Sequence, residues 1–111
     1  MENIMLKTID IGHQNYPLDK ALSILETEVS TALHGGEVRA LKIVHGHGEG
    51  TLRNAVRHWC EEQEGRFRAL IPGEEYDLFH KDSVDMRSAC NMPKDPHFGT
   101  RNRSVTYIWL W

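Results

Sequence analysis

Apolar and polar positions along this chain repeat with two different periods, and the alternation between them predicts the order of elements. Residues 6–11 alternate, with Leu6, Thr8 and Asp10 on one parity and Lys7, Ile9 and Ile11 on the other, as in a short strand. Gly12-His13-Gln14-Asn15 is turn chemistry, and Pro17 suits the first turn of a helix, where its missing N–H costs nothing. Leu18, Ala21, Leu22, Leu25, Val29, Ala32 and Leu33 recur at helical spacing and form one apolar stripe. His34-Gly35-Gly36 ends that helix, with glycine free to take a left-handed cap.

The compact run Arg39-Ala-Leu-Lys-Ile-Val44 reads as a buried strand. A glycine-rich turn follows, and then a second helix with Thr51 as its cap and Leu52, Ala55, Val56, Trp59 and Cys60 on one face. Gly65 ends it. Arg66 to Ile71 reads as a third strand, Pro72-Gly73 as a turn, and Ser104 to Trp111, rich in β-branched and aromatic residues, as a last strand. The order is β-α-β-α-β-loop-β. Each βαβ unit predicts a right-handed crossover and parallel pairing, with the last strand as an added member of a mixed sheet.

Residues 74–102 form a long acidic loop or insertion in this reading, carrying Glu74, Glu75, Asp77, Asp82 and Asp85. One short helix is expected within it, at Tyr76 to Phe79 or Ser83 to Cys90. A loop of that length in a compact domain is usually functional or mobile.

The 111 residues fit one domain, residues 1–111. A net charge of -3 argues against a chain that coats DNA by bulk charge, while leaving room for a local basic patch. No apolar run has the length of a membrane span, and residues 1–7 lack the pattern of a signal peptide. Cys60 and Cys90 form no CxxC pair, so the simpler expectation is two thiols in a reducing cytoplasm.

The chemistry concentrates in Val44-His45-Gly46-His47-Gly48-Glu49-Gly50-Thr51-Leu52-Arg53. Three alternate glycines between a strand and a helix let the backbone approach a ligand, and the helix N-terminus offers N–H groups to a phosphate. Gly46, His47, Gly48, Gly50 and Arg53 are therefore the expected phosphate-binding residues. The loop lacks the Lys-Ser/Thr ending of a Walker A motif and the glycine spacing of a dinucleotide fingerprint. A tight turn with two exposed histidines is the competing reading.

Asp10 and His13, after the first strand, would reach the same sheet edge as His45 and His47. Asp10, His13 and His45 are the candidate catalytic set, suited to proton transfer near neutral pH. His13, His45 and His47 also invite a zinc reading of low specificity, with no cysteine to support it. Arg57, Arg66, Arg68, Arg101 and Arg103 are the candidate nucleic-acid contacts, if the later loop folds back beside the glycine turn. Tyr107, Trp109 and Trp111 fit sheet packing better than base stacking.

Taken together, these motifs resemble the Smr (small MutS-related) domain family. Its first motif, Leu-Asp-Leu-His-Gly, is matched by Ile9-Asp10-Ile11-Gly12-His13, with histidine and glycine exchanged. Its second, His-Gly-x-Gly, is matched by His45-Gly46-His47-Gly48, with Gly50, Leu52 and Arg53 continuing the pattern. The resemblance spans about Leu6 to Ile71 and resumes at the final strand. It implies a two-layer α/β sandwich with a mixed four-stranded sheet, similar to the C-terminal domain of translation initiation factor three. It also implies DNA or RNA as partner, with nicking endonuclease (hydrolase) activity in some members; the cofactor is unknown from the residues, a divalent metal such as Mg being a candidate that no sequence feature marks. A non-catalytic nucleic-acid or protein interaction module is the alternative.

Overall fold

A computed structural model of the chain describes residues 4–63 and 65–111. Met1 to Asn3, part of the segment read for a leader, and Glu64 lie outside the described residues. The elements are β1 (Leu6–Asp10), α1 (Leu18–Gly35), β2 (Ala40–Val44), α2 (Thr51–Glu61), β3 (Ala69–Pro72), a 3-10 turn (Gly73–Glu75), α3 (Lys81–Ala89) and β4 (Val105–Trp109).

The four strands form one mixed sheet in the order β1-β2-β4-β3. β1 and β2 pair in parallel, as the first βαβ unit predicts. The second unit does not pair its strands directly. β4 enters between them and runs antiparallel to both β2 and β3. All five β4 residues are buried, which suits a central strand covered on both faces rather than an added edge.

Strand parity divides the core. Ile9, Leu41, Ile43 and Ile108 face α1 and α2, where they meet Ala21, Leu25, Val29, Ala32, Val56 and Cys60. Ala40, Ile71, Val105, Tyr107 and Trp109 face the other way and are covered by Tyr76, Met86, Cys90 and Phe98. The segment expected as an acidic loop thus holds a helix close to the Ser83–Cys90 alternative and contributes a second core. The sheet separates Cys60 from Cys90, each buried in its own core.

Local chemistry sets the element ends. Gly36 caps α1 in the left-handed region (φ 74°), its N–H donating to the Ala32 carbonyl. α2 is preceded by Gly50 (φ 88°), so Thr51 is its first helical residue rather than its cap. The Arg66 N–H donates to the Gln63 carbonyl in a turn, which delays β3 to Ala69. Among the described residues, no helix is long and apolar enough to cross a membrane.

Candidate nucleic-acid interface

The sheet register fixes which residues share an edge. Asp10 lies beside Val44, and Val44 beside Val105, so the turns after β1 and β2 and the loop before β4 emerge together. At this edge the two sequence motifs are in contact. A Cβ on Gly12 would lie 2.4 Å from the His45 carbonyl carbon and 2.8 Å from the Gly46 nitrogen. Only glycine fits there, and the histidine exchanged with it in the sequence stands at position 13.

That exchange leaves the Asp–His pair intact. Asp10 Oδ1 accepts from the Gly12 and His13 N–H groups, and Asp10 Oδ2 lies 2.7 Å from His13 Nδ1. Burial alone would raise the Asp10 carboxyl, but the His13 ring and the two N–H groups hold it below its ordinary value. An ionised carboxylate only accepts, so His13 Nδ1 donates to it and Nε2 points away from Asp10. The His13 side chain is 65% exposed, leaving the ring accessible.

His45 takes a different position from the one expected. It continues the parity of Leu41 and Ile43 and is buried beneath α2, where Nε2 lies 2.8 Å from Thr106 Oγ1. Burial pushes its imidazole down to about 4, against the Gly46 carbonyl and with added repulsion from Arg57 and Arg53. The ring therefore lies beneath the loop with Nε2 engaged by Thr106, rather than at the open edge beside His13. Among the described residues no three His, Cys, Asp or Glu side chains group as candidate metal ligands.

The glycine turn is partly committed to the sheet. The N–H groups of His45 and Gly46 both donate to the Ser104 carbonyl, so Gly46 is unavailable to a phosphate through its amide. Among the described residues, no acceptor engages the N–H groups of His47, Gly48, Glu49 or Gly50. The guanidinium of Arg53 lies against the Cα of Gly50, close enough that a Cβ there would meet Nη2 at 2.5 Å. Glu49 is exposed on the same turn and places one negative charge at its rim.

An open cleft of about 460 Å³ adjoins this turn, lined by His47, His97, Thr100, Arg101, Asn102 and Arg103. The structure therefore joins three expected residues, His47, Arg101 and Arg103, in one basic concavity. Sequence reasoning missed His97, Thr100 and Asn102. The polar, glycine-containing run around the two arginines was the available signal. Arg101 also borders an acidic groove with Glu74, Glu75, Asp77, Phe79 and His80, which bounds the positive surface on that side.

The other expected arginines are placed elsewhere. Arg57 holds Glu74 through two nitrogens at 2.6 and 3.0 Å and donates to Thr106 Oγ1. Arg66 is engaged by Glu26 and Ser30 of α1. Arg68 stacks over Trp109 at 4.5 Å, and Arg39 over Trp111 at 4.1 Å, at the sheet edge opposite the glycine turn. A continuous stripe of these cations beside the turn is not formed, because ion pairs and aromatic rings take them first.

Comparison with known proteins finds a matching family model and similar solved structures. A family model described as the Smr domain matches residues 13–74. The structure is similar to the crystal structure of the Smr domain of Thermus thermophilus MutS2, with a TM-score of 0.61 and 19% identity. That match covers 95% of this chain and 98% of the other, and at this identity it speaks to the fold. No curated protein matches the chain.

Proposed function

The chain belongs to the Smr domain family, and from that premise we propose that it grips a nucleic-acid backbone, DNA or RNA, at the edge formed by the glycine turn and the loop before β4. Smr domains associate with nucleic acids, and the observation that carries the reading here is the convergence of His47, Arg101 and Arg103 on one open cleft. Arginine forks match phosphate oxygens bidentately. The turn's unengaged N–H groups and the N-terminus of α2 add donors and a positive field beside them.

A second reading, cleavage, is favoured by the Asp10–His13 contact of 2.7 Å. In it, His13 Nε2 takes a proton from a water whose oxygen bonds to phosphorus, while Asp10 stabilises the resulting imidazolium. The P–O bond to the leaving strand breaks, and its oxygen is protonated from solvent. Arg53 and the turn N–H groups face the developing negative charge.

The test is incubation of the protein with labelled single-stranded RNA, duplex DNA and supercoiled plasmid, beside Asp10→Asn and His13→Ala. Binding that weakens with salt is expected for all three proteins. Cleavage is expected to fall by about a hundredfold or more in both variants, the usual worth of a general base. Binding without cleavage by the wild type would leave a binding module. Absence of binding at low salt would refute the proposal.

A further inference from the structure

Lys42 sits in the middle of a central strand and is buried, an unusual place for an ammonium group. Its partner is Asp95, at 2.6 Å, whose side chain is 3% exposed. The other Asp95 oxygen accepts from the Tyr107 hydroxyl at 2.6 Å. The oxygen facing Lys42 also accepts from the His97 N–H at 3.0 Å, which closes a turn of the loop's own backbone. One carboxylate therefore fastens the loop to β2 and to β4 and shapes its first turn.

The residues that follow line the cleft together with His47. His97, Thr100, Arg101, Asn102 and Arg103 all lie between Asp95 and β4. The Gly99 N–H donates to the Tyr76 carbonyl, and Phe98 meets the Tyr76 ring edge-on at 5.1 Å. At the far end Asn102 Oδ1 accepts from the Ser104 N–H. Burial raises the Asp95 carboxyl, yet Lys42 and Tyr107 reverse that and hold it below its ordinary value, so it stays charged.

Building on the proposed binding site, we infer that Asp95 is the positioning residue of the cleft: through Lys42, Tyr107 and the His97 N–H it sets the geometry in which Arg101 and Arg103 meet the backbone. It acts through other residues and touches no ligand itself. A buried ion pair is weak evidence for stability, since well-packed apolar residues often replace one without loss. Its worth here lies in fixing the loop.

The experiment compares wild type, Asp95→Asn and the double variant Lys42→Met/Asp95→Leu. Each is measured for thermal stability, for affinity toward a labelled single-stranded RNA and a duplex DNA, and for amide exchange. Asp95→Asn strands the Lys42 ammonium and is expected to lose stability. The double variant removes both charges but leaves the Tyr107 hydroxyl and the His97 N–H without their acceptor, and is expected to recover part of it. Affinity of both variants, read well below their melting temperatures, is expected to drop about tenfold, the effect of one well-aligned charged hydrogen bond lost from the cleft. Exchange at Gly99 and Thr100 should accelerate in both by more than the loss of global stability accounts for, that loss being read from the slowest amides of β1.

Affinity that recovers together with stability in the double variant would overturn the inference, as would wild-type affinity in Asp95→Asn. If the wild type binds neither probe, the binding reading fails, and with it the cleft-positioning role. The exchange arm still reports on its own whether Asp95 anchors the loop, so the two failures are distinguishable.

Discussion

Acidification should destabilise this fold through His45, and the size of the effect follows from its burial. The imidazole lies beneath α2 with its Nε2 on Thr106 Oγ1, and its affinity for a proton falls from the ordinary 6.5 to about 4. The unfolded chain takes up this proton as pH drops through 6.5, whereas the folded chain refuses it until about 4. The folded state is therefore favoured fully above 6.5, loses stability between 6.5 and 4, and loses no more through this group below 4. Integrating from pH 7 to pH 4.5 gives a loss of roughly 2–3 kcal/mol. For a domain of this length that is a fall in Tm of about 10 °C.

Other carboxylates and histidines also titrate in this range, so the measurement compares wild type with His45→Gln, which keeps an amide able to meet Thr106. Urea unfolding of both proteins at pH 7 and pH 4.5 yields a difference of differences. Wild type should lose about 2–3 kcal/mol more than His45→Gln between the two pH values. Equal losses in the two proteins would refute the account of His45 as a buried, neutral support for the glycine turn.

Two further substitutions test how the site is built. Gly12→Ala drives a methyl group into the His45 carbonyl carbon at 2.4 Å, and a cost of about 3 kcal/mol is expected by chemical denaturation; a near-neutral effect would mean the two motifs do not pack as described. Met86 is fully buried on the second face of the sheet, so Met86→Ala should cost about 2–5 kcal/mol. A cost below about 0.5 kcal/mol, the range of surface positions, would return residues 74–102 to the status of a detachable loop.

The helical stripes and the first βαβ unit could be read from periodicity because each element buries only one face or obeys a fixed handedness. The place of β4 was harder, since strand order depends on pairing between distant segments. A clue was nonetheless present: Val105 to Trp109 carries large apolar or aromatic residues on both parities, with Thr106 its one small polar residue, as suits a strand covered on two sides. Residues 74–102 were opaque for a different reason. Tyr76, Met86, Cys90 and Phe98 carry the second core, but they are too widely and unevenly spaced to show a period.

In the site, residue type identified the glycine turn and the Asp10–His13 pair, and the resemblance of both motifs to one family strengthened the reading. What residue type could not show was which cations would be consumed internally. Arg57 and Arg66 find carboxylates contributed by distant elements, and Lys42 finds Asp95 across the sheet. His45 looked like its neighbour His47 in the sequence. Strand parity, continued one residue past Val44, sends the His45 ring inward, whereas the chain leaves the strand at Gly46 (φ 80°) and His47 is exposed.

The most direct test of nucleic-acid binding at this edge is the salt dependence of affinity for a labelled oligonucleotide, measured for wild type and for Arg101→Ala/Arg103→Ala. Loss of two phosphate contacts should weaken binding at low salt and reduce the slope of log K against log salt by about 1.5–2. An unchanged affinity and slope in the double variant would contradict the account, because the cleft would then not be where the backbone lies.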